Sequence, residues 1–401
     1  VADMNLPFVL MGSNPRIEEN VSIDDFRAAA DWALDNGLEQ LAVDVLVPLG
    51  QVWVRRLDEV GRWMTRLDRS DPPRDMMRWR LDMSAAIAEW LSGRDHEALA
   101  LLPRLIESAH ALGEPYAAAE AMWASGNIHW RQGDLQVARD ELLRATEGMP
   151  VVASRAHSAR EGLAVLELRL GNTEEGARRV AELTTIADEV PTAVTRASAA
   201  NAQGWLDAFA GNLEAAAQSF TSCRDLAIGA DDWAHAVNAR LGLAWVQPGI
   251  NRIDAAAAEA LAARDMAAEA GNAGKLAESL ITLGRVKLDL GQAEEARLRL
   301  GESLIMTRDR LTHRILSIEA LMFVSWLARH DGHPDLAVRL LHAVEEERKR
   351  LGLVLLPLNT ERAEQELELA LSQTRATLVR EAPILDIEAA RQEALDFLQP
   401  S

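Results

Sequence analysis

The sequence predicts an all-α fold, a right-handed superhelix (α-solenoid) of about nine helical hairpins in one body, and three observations carry that reading. Small-residue marks recur at Gly93, Gly133, Gly171, Gly211, Asn251, Gly291 and Gly332, at intervals of 40, 38, 40, 40, 40 and 41 residues. Five positions after each mark stands another small residue: Ala98, Ala138, Gly176, Ala216, Ala256, Ala296 and Ala337. Ala and Leu dominate, aromatics make up 4%, and β-branched runs are scarce, which favours helices over strands.

Taken in order, residues 1–20 read as a leader or a linker from a preceding module. Residues 21–358 read as the repeat superhelix, and residues 359–401 as C-terminal capping helices. The chain opens on Val1 rather than Met, which fits a processed product or a piece cut from something longer. Leu6, Pro7, Phe8, Val9 and Leu10 form an apolar run, but no basic region precedes it, so it is not read as a signal peptide. A less regular copy of the repeat has Arg56 at the mark and Gly61 at the small position.

The copy from Pro115 to Pro150 shows the design. Gly113 ends the preceding helix, and Pro115 fits a first helical turn. Tyr116–Arg131 is a first helix, with Met122, Gly126 and His129 on one face. Gly133 breaks it, and Asp134 caps a second helix over Leu135–Glu147 with Ala138, Leu142 and Ala145 inward; Pro150 stops it. Gly204 and Gly211, and Gly284 and Gly291, repeat the seven-residue spacing of Gly126 and Gly133. Small residues at a helix crossing let two backbones approach without overpacking. Gly113, Gly229 and Gly271 read as turns between repeats. Thr360–Thr377 and Ile387–Leu398 read as helices that cap the array and shield its last apolar face.

The bulk chemistry excludes several classes. A net charge of −20, with only Lys275, Lys287 and Lys349 as lysines, argues against gripping a nucleic-acid backbone, which needs clustered cations. One cysteine, Cys223, allows no internal disulfide and fits a reducing cytoplasm. No apolar run reaches the roughly 18 residues that a membrane span needs.

The run Met122, Gly126, His129, Gly133, Ala138, Leu142, Ala145, Pro150 resembles the tetratricopeptide pattern, at about 40 residues per copy against about 34 in the standard repeat. A narrower resemblance lies at the ends. Asp24-Asp25-Phe26-Arg27-Ala28-Ala29-Ala30-Asp31-Trp32-Ala33-Leu34, followed by Val52-Trp53 and Leu57-Asp58-Glu59-Val60-Gly61-Arg62-Trp63, is similar to the entry of the helical-repeat region of large bacterial signal-transduction ATPases. These STAND regulators are relatives of the maltose-regulon activator and of LuxR- and cyclase-type ATPase proteins. Leu340 to Glu345, Leu351-Gly352-Leu353 and Thr360-Glu361-Arg362 resemble the end of that region. The resemblance implies an ATPase module before the repeats and a DNA-binding module after them in a full-length protein. Neither is evident here, so the family's ATP-binding residues have no counterpart in this chain.

Catalytic and metal motifs are weak. Gly271-Asn272-Ala273-Gly274-Lys275-Leu276 has two residues between its glycines where a P-loop has four, and Leu follows Lys where Ser or Thr would hold magnesium; it reads as a turn between repeats. His330-Asp331-Gly332-His333 straddles a helix break and lacks a third ligand. His110, His129 and His157 are scattered, and Cys223 has no activating histidine in view. Glu345 to Arg350 forms ion pairs along a solvated helix. No catalytic residue, metal or cofactor is expected.

Tryptophans are the better lead, being eleven of the eighteen aromatics. Trp90 and Trp130 share one slot before their marks, Trp205 and Trp245 share another, and Trp123 lies upstream in its own first helix. In tetratricopeptide arrays the first helices line the concave surface. The functional reading is a concave groove of Trp90, Trp123, Trp130, Trp205 and Trp245, with Asn127, Arg131, Glu161, Arg169, Asn201 and Asn238 adding polar specificity. The competing reading is that Trp fills space between long helices. The expected function is non-enzymatic: the sensor or interaction region of a cytoplasmic transcriptional or signalling regulator, binding a protein, peptide or small-molecule inducer. A free-standing scaffold that binds another protein is the alternative.

Overall fold

Each mark ends its helix in the same way. Gly133, at φ 84°, donates its N–H to the carbonyl of Trp130, and Asp134 donates to His129 at 2.9 Å. This Schellman closure satisfies the last carbonyls of a helix and needs a left-handed residue, which costs a side chain about 1–2 kcal/mol except in Gly and Asn. The closure recurs at Gly93, Gly171, Gly211, Gly291 and Gly332, and Asn251 manages it at φ 59°. Between repeats it recurs at Gly113 and Gly352. The turn after α10 differs from expectation: its left-handed residue is Asp231, at φ 53°, while Gly229 still belongs to the helix. Asp tolerates this conformation because its short polar side chain hydrogen-bonds locally.

The computed structural model describes residues 23–46, 63, 66, 75–150, 154–309, 313–374 and 385–399. The 1–20 leader, the Arg56/Gly61 copy and the Val52 to Arg62 part of the resemblance lie outside the described residues, as do residues 375–377 of the first capping helix. The described elements are α1 (Ile23–Asp35), α2 (Glu39–Leu46), α3 (Met76–Leu91), α4 (Asp95–Ala111), α5 (Pro115–Gln132), α6 (Leu135–Gly148), α7 (Ser154–Arg169) and α8 (Thr173–Glu189). There follow α9 (Ala193–Phe209), α10 (Leu213–Gly229), α11 (Trp233–Val246) with a 3-10 turn (Gln247–Ile250), α12 (Ile253–Glu269), α13 (Ala273–Asp289) and α14 (Ala293–Asp309). The last are α15 (Arg314–His330), α16 (Pro334–Leu351), α17 (Pro357–Gln373) and α18 (Ile387–Leu398). The fold is an all-α helical-repeat array, with no strand among the described residues.

Helix starts follow ordinary chemistry. Asp75, Asp232 and Asp386 each accept a backbone N–H three residues on, Thr192 and Thr195 form a reciprocal capping box, and α5, α16 and α17 open on Pro115, Pro334 and Pro357. The small positions are where second helices press in: Ala98, Ala138, Ala216, Ala256 and Ala296 are fully buried. Gly176 takes the same role, since a β-carbon there would stand 2.6 Å from Leu168.

The contacts group into two units. The first comprises Val1–Ile128, Asp140–Ala159 and Glu269–Asn272. Its core runs from Trp63 and Trp79 through Trp90, Leu102 and Ile128 to Ala145 and Ala159, and the Trp79 indole donates to the Leu105 carbonyl at 2.8 Å.

The second comprises His129–Arg139, Arg160–Ala268 and Ala273–Ser401. Phe220 is fully buried there, and its ring takes the space that a β-carbon at Gly204 or at Gly242 would need, each 2.6 Å away. Helix α15 is buried along nearly its whole length, Ile315 to Ala328. Helix α18 packs on α14, α15 and α16. Late and early repeats of this unit touch: Arg169 Nη1 lies 3.0 Å from Glu319 Oε1, and the Val354 N–H donates to the Arg169 carbonyl at 2.8 Å. Beside them, Gly133 faces the Leu351 side chain and Gly171 faces Val354.

Candidate functional site

In the first unit Trp90 is buried and meets half-buried Trp123 edge-on, ring centroids 5.4 Å apart. The Arg155 guanidinium sits 4.7 Å over the Trp123 ring and pairs with Glu120 at 2.6 Å. Burial pushes the Glu120 carboxyl up against the opposing pull of Arg155, and it pushes Tyr116 up to about 12. The Asn127 amide donates to the Trp123 carbonyl of its own helix at 2.8 Å. These tryptophans therefore spend most of their surface on helix packing.

In the second unit, three first helices bring polar groups together. Glu161 of α7 is buried and accepts from the Asn201 amide of α9 at 2.7 Å. Its other oxygen lies 2.9 Å from His235 Nε2 of α11. The same ring nitrogen is 2.8 Å from Ser198 Oγ, and His235 Nδ1 is 2.6 Å from Asp232 Oδ2. Next to this network, Asn201 Oδ1 and Asn238 Oδ1 are buried and accept no hydrogen bond. Trp205, one turn beyond Asn201, is buried edge-on against Phe220 at 5.3 Å, with the Arg169 guanidinium 5.9 Å from its ring.

Ser198, His235 and Asp232 have the connectivity of a hydrolase triad, so the chemistry has to be tested. Burial by itself lowers the basicity of His235, but Glu161 and Asp232 overcome this and raise its pKa to about 10. Burial also disfavours the Asp232 carboxylate, and its hydrogen bonds to His235 outweigh that and hold it below its ordinary range. An imidazolium with both nitrogens already donating cannot take a proton from Ser198, which is itself fully buried. Cys223 lies in the same neighbourhood, and burial first, then the charges of Glu161 and Asp232, push its thiol far up and make it inert. The cluster is built to hold charge and amide groups, and it does not generate a nucleophile. Among the described residues, no group of three His, Cys, Asp or Glu is placed to hold a metal ion, and no helix is long and apolar enough to cross a membrane.

The remaining residues that the sequence points to also lie in this unit. Trp245 is buried against Phe323, centroids 5.8 Å apart, and Phe323 meets Trp326 at 4.9 Å. Fully buried Arg285 donates to the Trp245 carbonyl at 2.9 Å, and Asp289 is shared between Arg285 and Arg362. Half-buried Trp130 and Arg131 stand at the end of α5, and Arg131 lies against Gly274. The structure therefore joins Glu161 with Asn201, and Arg169 with Trp205, and seats Trp245 against Phe323. His235, Asp232, Ser198, Glu319 and Arg285 were not foreseen. Only the shared slot of Glu161 and Asn201, each ten residues before its mark, gave any signal.

No protein-family model matches the sequence, and no curated protein matches it. Among solved structures, the chain is similar to a Rap protein complexed with competence and sporulation factor, with 11% identity over 83% of this chain and 99% of that one, TM-score 0.48. It is similar to a tetratricopeptide repeat protein from Parabacteroides merdae, with 14% identity over 74% and 98%, TM-score 0.40. It is also similar to a STAND signal-transduction ATPase with a tetratricopeptide-repeat sensor from Pyrococcus horikoshii, with 13% identity and TM-score 0.45, over 81% of this chain and 55% of that one.

Proposed function

We propose that this chain is a non-catalytic recognition array, the sensor or interaction region of a cytoplasmic signalling or transcriptional regulator. The first-helix face of its second unit would take up a peptide or small-molecule inducer. One observation carries the reading: Asn201 and Asn238, on neighbouring first helices, hold buried amide oxygens with no donor to satisfy them. A buried acceptor left unpaired costs about 1–3 kcal/mol, and a ligand N–H would return that energy. Glu161 fixes the Asn201 amide so that its oxygen stays available, and Trp205 supplies apolar area beside it. Attached ATPase and DNA-binding modules follow from the sequence resemblance to STAND regulators, and differential affinity for two states of such a protein would set its output.

The test is a thermal-shift screen of peptides and small metabolites on the purified chain, with hits titrated against Asn201→Leu and Asn238→Leu. Both variants fill the same volume without the acceptor and should lose a hit's affinity. Hits that bind both variants as tightly as the parent would remove this face from the function. The mass of the native polypeptide separates the free-standing scaffold, near 44.0 kDa, from the arm of a larger regulator.

A further inference from the structure

We propose that the C-terminal ends of the first helices α7, α11, α13 and α15 form a groove for an extended, leucine-rich peptide segment of another polypeptide. The chain fills this groove with a strap of its own residues, 353–366, which the incoming peptide displaces. This rests on the reading of the first-helix side as the recognition surface, and it adds the class of ligand and a competitor for it within the chain.

The strap crosses the second unit at a regular step. The Val354 N–H donates to the Arg169 carbonyl at the end of α7 at 2.8 Å, and a β-carbon on Gly171 would stand 3.4 Å from the Val354 side chain. Four residues on, the Leu358 side chain lies 3.2 Å from where a β-carbon on Gly249 would be, in the 3-10 turn that follows α11. Another four on, Arg362 pairs with Asp289, the last residue of α13, and its guanidinium sits 4.3 Å over the Trp326 ring of α15. After four more, Glu366 accepts from Arg329 Nη2, near the end of α15, at 3.2 Å. The strap thus takes its anchors from four first helices in chain order. Gly211 closes α9 as Gly171 closes α7, yet a β-carbon there would meet nothing within 4 Å. The repeat closure therefore needs no cover of its own, and at Gly171 the strap supplies one.

The contacts are those of peptide capture. Residues 353–356 form no helix, and Leu356 lies at φ −59°, ψ 141°, the polyproline II region, just before Pro357. A main-chain N–H on the last carbonyls of a helix, with apolar side chains dropped beside glycines, recognises an extended chain by backbone and shape. Arg362, eight residues after Val354, adds a cation for Asp289 and the Trp326 face.

The strap is held lightly. Helix α17 buries only Asn359 and Ala370, whereas α15 is buried from Ile315 to Ala328. Val354, Leu369 and Leu371 are exposed. A segment with so little buried apolar surface opens at low cost. Gly352, at φ 68° and with open space around it, provides the hinge. Helix α18 packs on α14, α15 and α16, and Arg169 keeps Glu319, so the unit stays capped when the strap lifts. While the strap is seated, the apparent affinity for a peptide falls in proportion to the fraction of open molecules.

The experiment is a fluorescence-anisotropy titration of a labelled peptide of this chain's residues 352–366 into the full chain. The parent is compared with the double variant Val354→Pro/Arg362→Gln, which removes the strap's N–H donor and its cation. Leu353 already lies outside a helix, so a following proline suits it, and Asp289 keeps Arg285 as a partner. The variant should bind the peptide about tenfold or more tightly than the parent. A peptide carrying both substitutions should bind neither chain. Amide hydrogen exchange should rise over residues 353–366 of the variant and stay unchanged in α15 and α16. Equal peptide affinity in parent and variant, with the strap open or closed, overturns the proposal. Exchange that rises equally through α15 and α16 also overturns it, because the strap would then be part of the core. Neither Asn201 nor Asn238 is altered, so either failure would leave their test standing.

Discussion

Glu161 Oε2 lies 2.9 Å from His235 Nε2, although 74 residues and a whole helical hairpin separate them in the chain. The contact skips the intervening first helix α9, whose Ser198 and Asn201 fill the space between. It ties three repeats by one buried charge.

That charge makes stability depend on pH in a defined direction. The folded His235 keeps its proton up to about pH 10, whereas the unfolded side chain loses it near 6.5. The stabilisation is fully present below 6.5 and falls by about 1.4 kcal/mol per pH unit as pH rises towards 10. Asp232, held below its ordinary range, adds a stabilisation that disappears in strong acid. Urea unfolding at pH 6, 8 and 9.5 should show the alkaline decline, and a profile without it refutes this account.

His235→Gln should cost about 3–5 kcal/mol, because Glu161 would remain buried without its cation. Adding Glu161→Gln should recover much of that loss, since the pair would then be neutral. The double-mutant cycle measured by chemical denaturation decides the point.

Gly242→Ala should destabilise by about 1–3 kcal/mol, since the Phe220 ring that it meets is walled in on both sides. Phe220→Leu in the same chain should return part of the loss. Gly211→Ala meets no atom, so its cost of about 1–2 kcal/mol should be backbone strain alone, and Phe220→Leu should not relieve it.

Cys223 should resist thiol reagents in the native protein and react only as fast as the second unit opens. Its Sγ faces the His235 carbonyl at 3.9 Å, so His235→Gln should speed labelling. Rapid stoichiometric labelling of the parent would show that the cluster is not closed.

The turns were legible because one backbone requirement, a left-handed residue, restricts the choice almost to Gly and Asn; Asp231 was missed as the rarer solution. The buried Ala positions were legible because close helix crossing leaves room for little else. The His235 network was not, because its members lie 37, 40 and 74 residues apart and look like surface polar groups until the helices stack. Tryptophan was ambiguous for a physical reason: the same area that binds a ligand also fills a helix interface, as Trp90 and Trp205 do here. The meeting of Arg131 with Gly274 depends on how the repeats curve, which no local pattern encodes.

Most helical arrays hold together through neighbouring repeats only, so they can fray from either end one unit at a time. The Val354 N–H on the Arg169 carbonyl and the Arg169–Glu319 pair clasp late repeats onto an early one. Helices between them cannot peel away while the clasp holds, and breaking it exposes both sides at once. The second unit should therefore melt in a single sharp transition and form late in folding, since the clasp needs distant parts of the chain to meet.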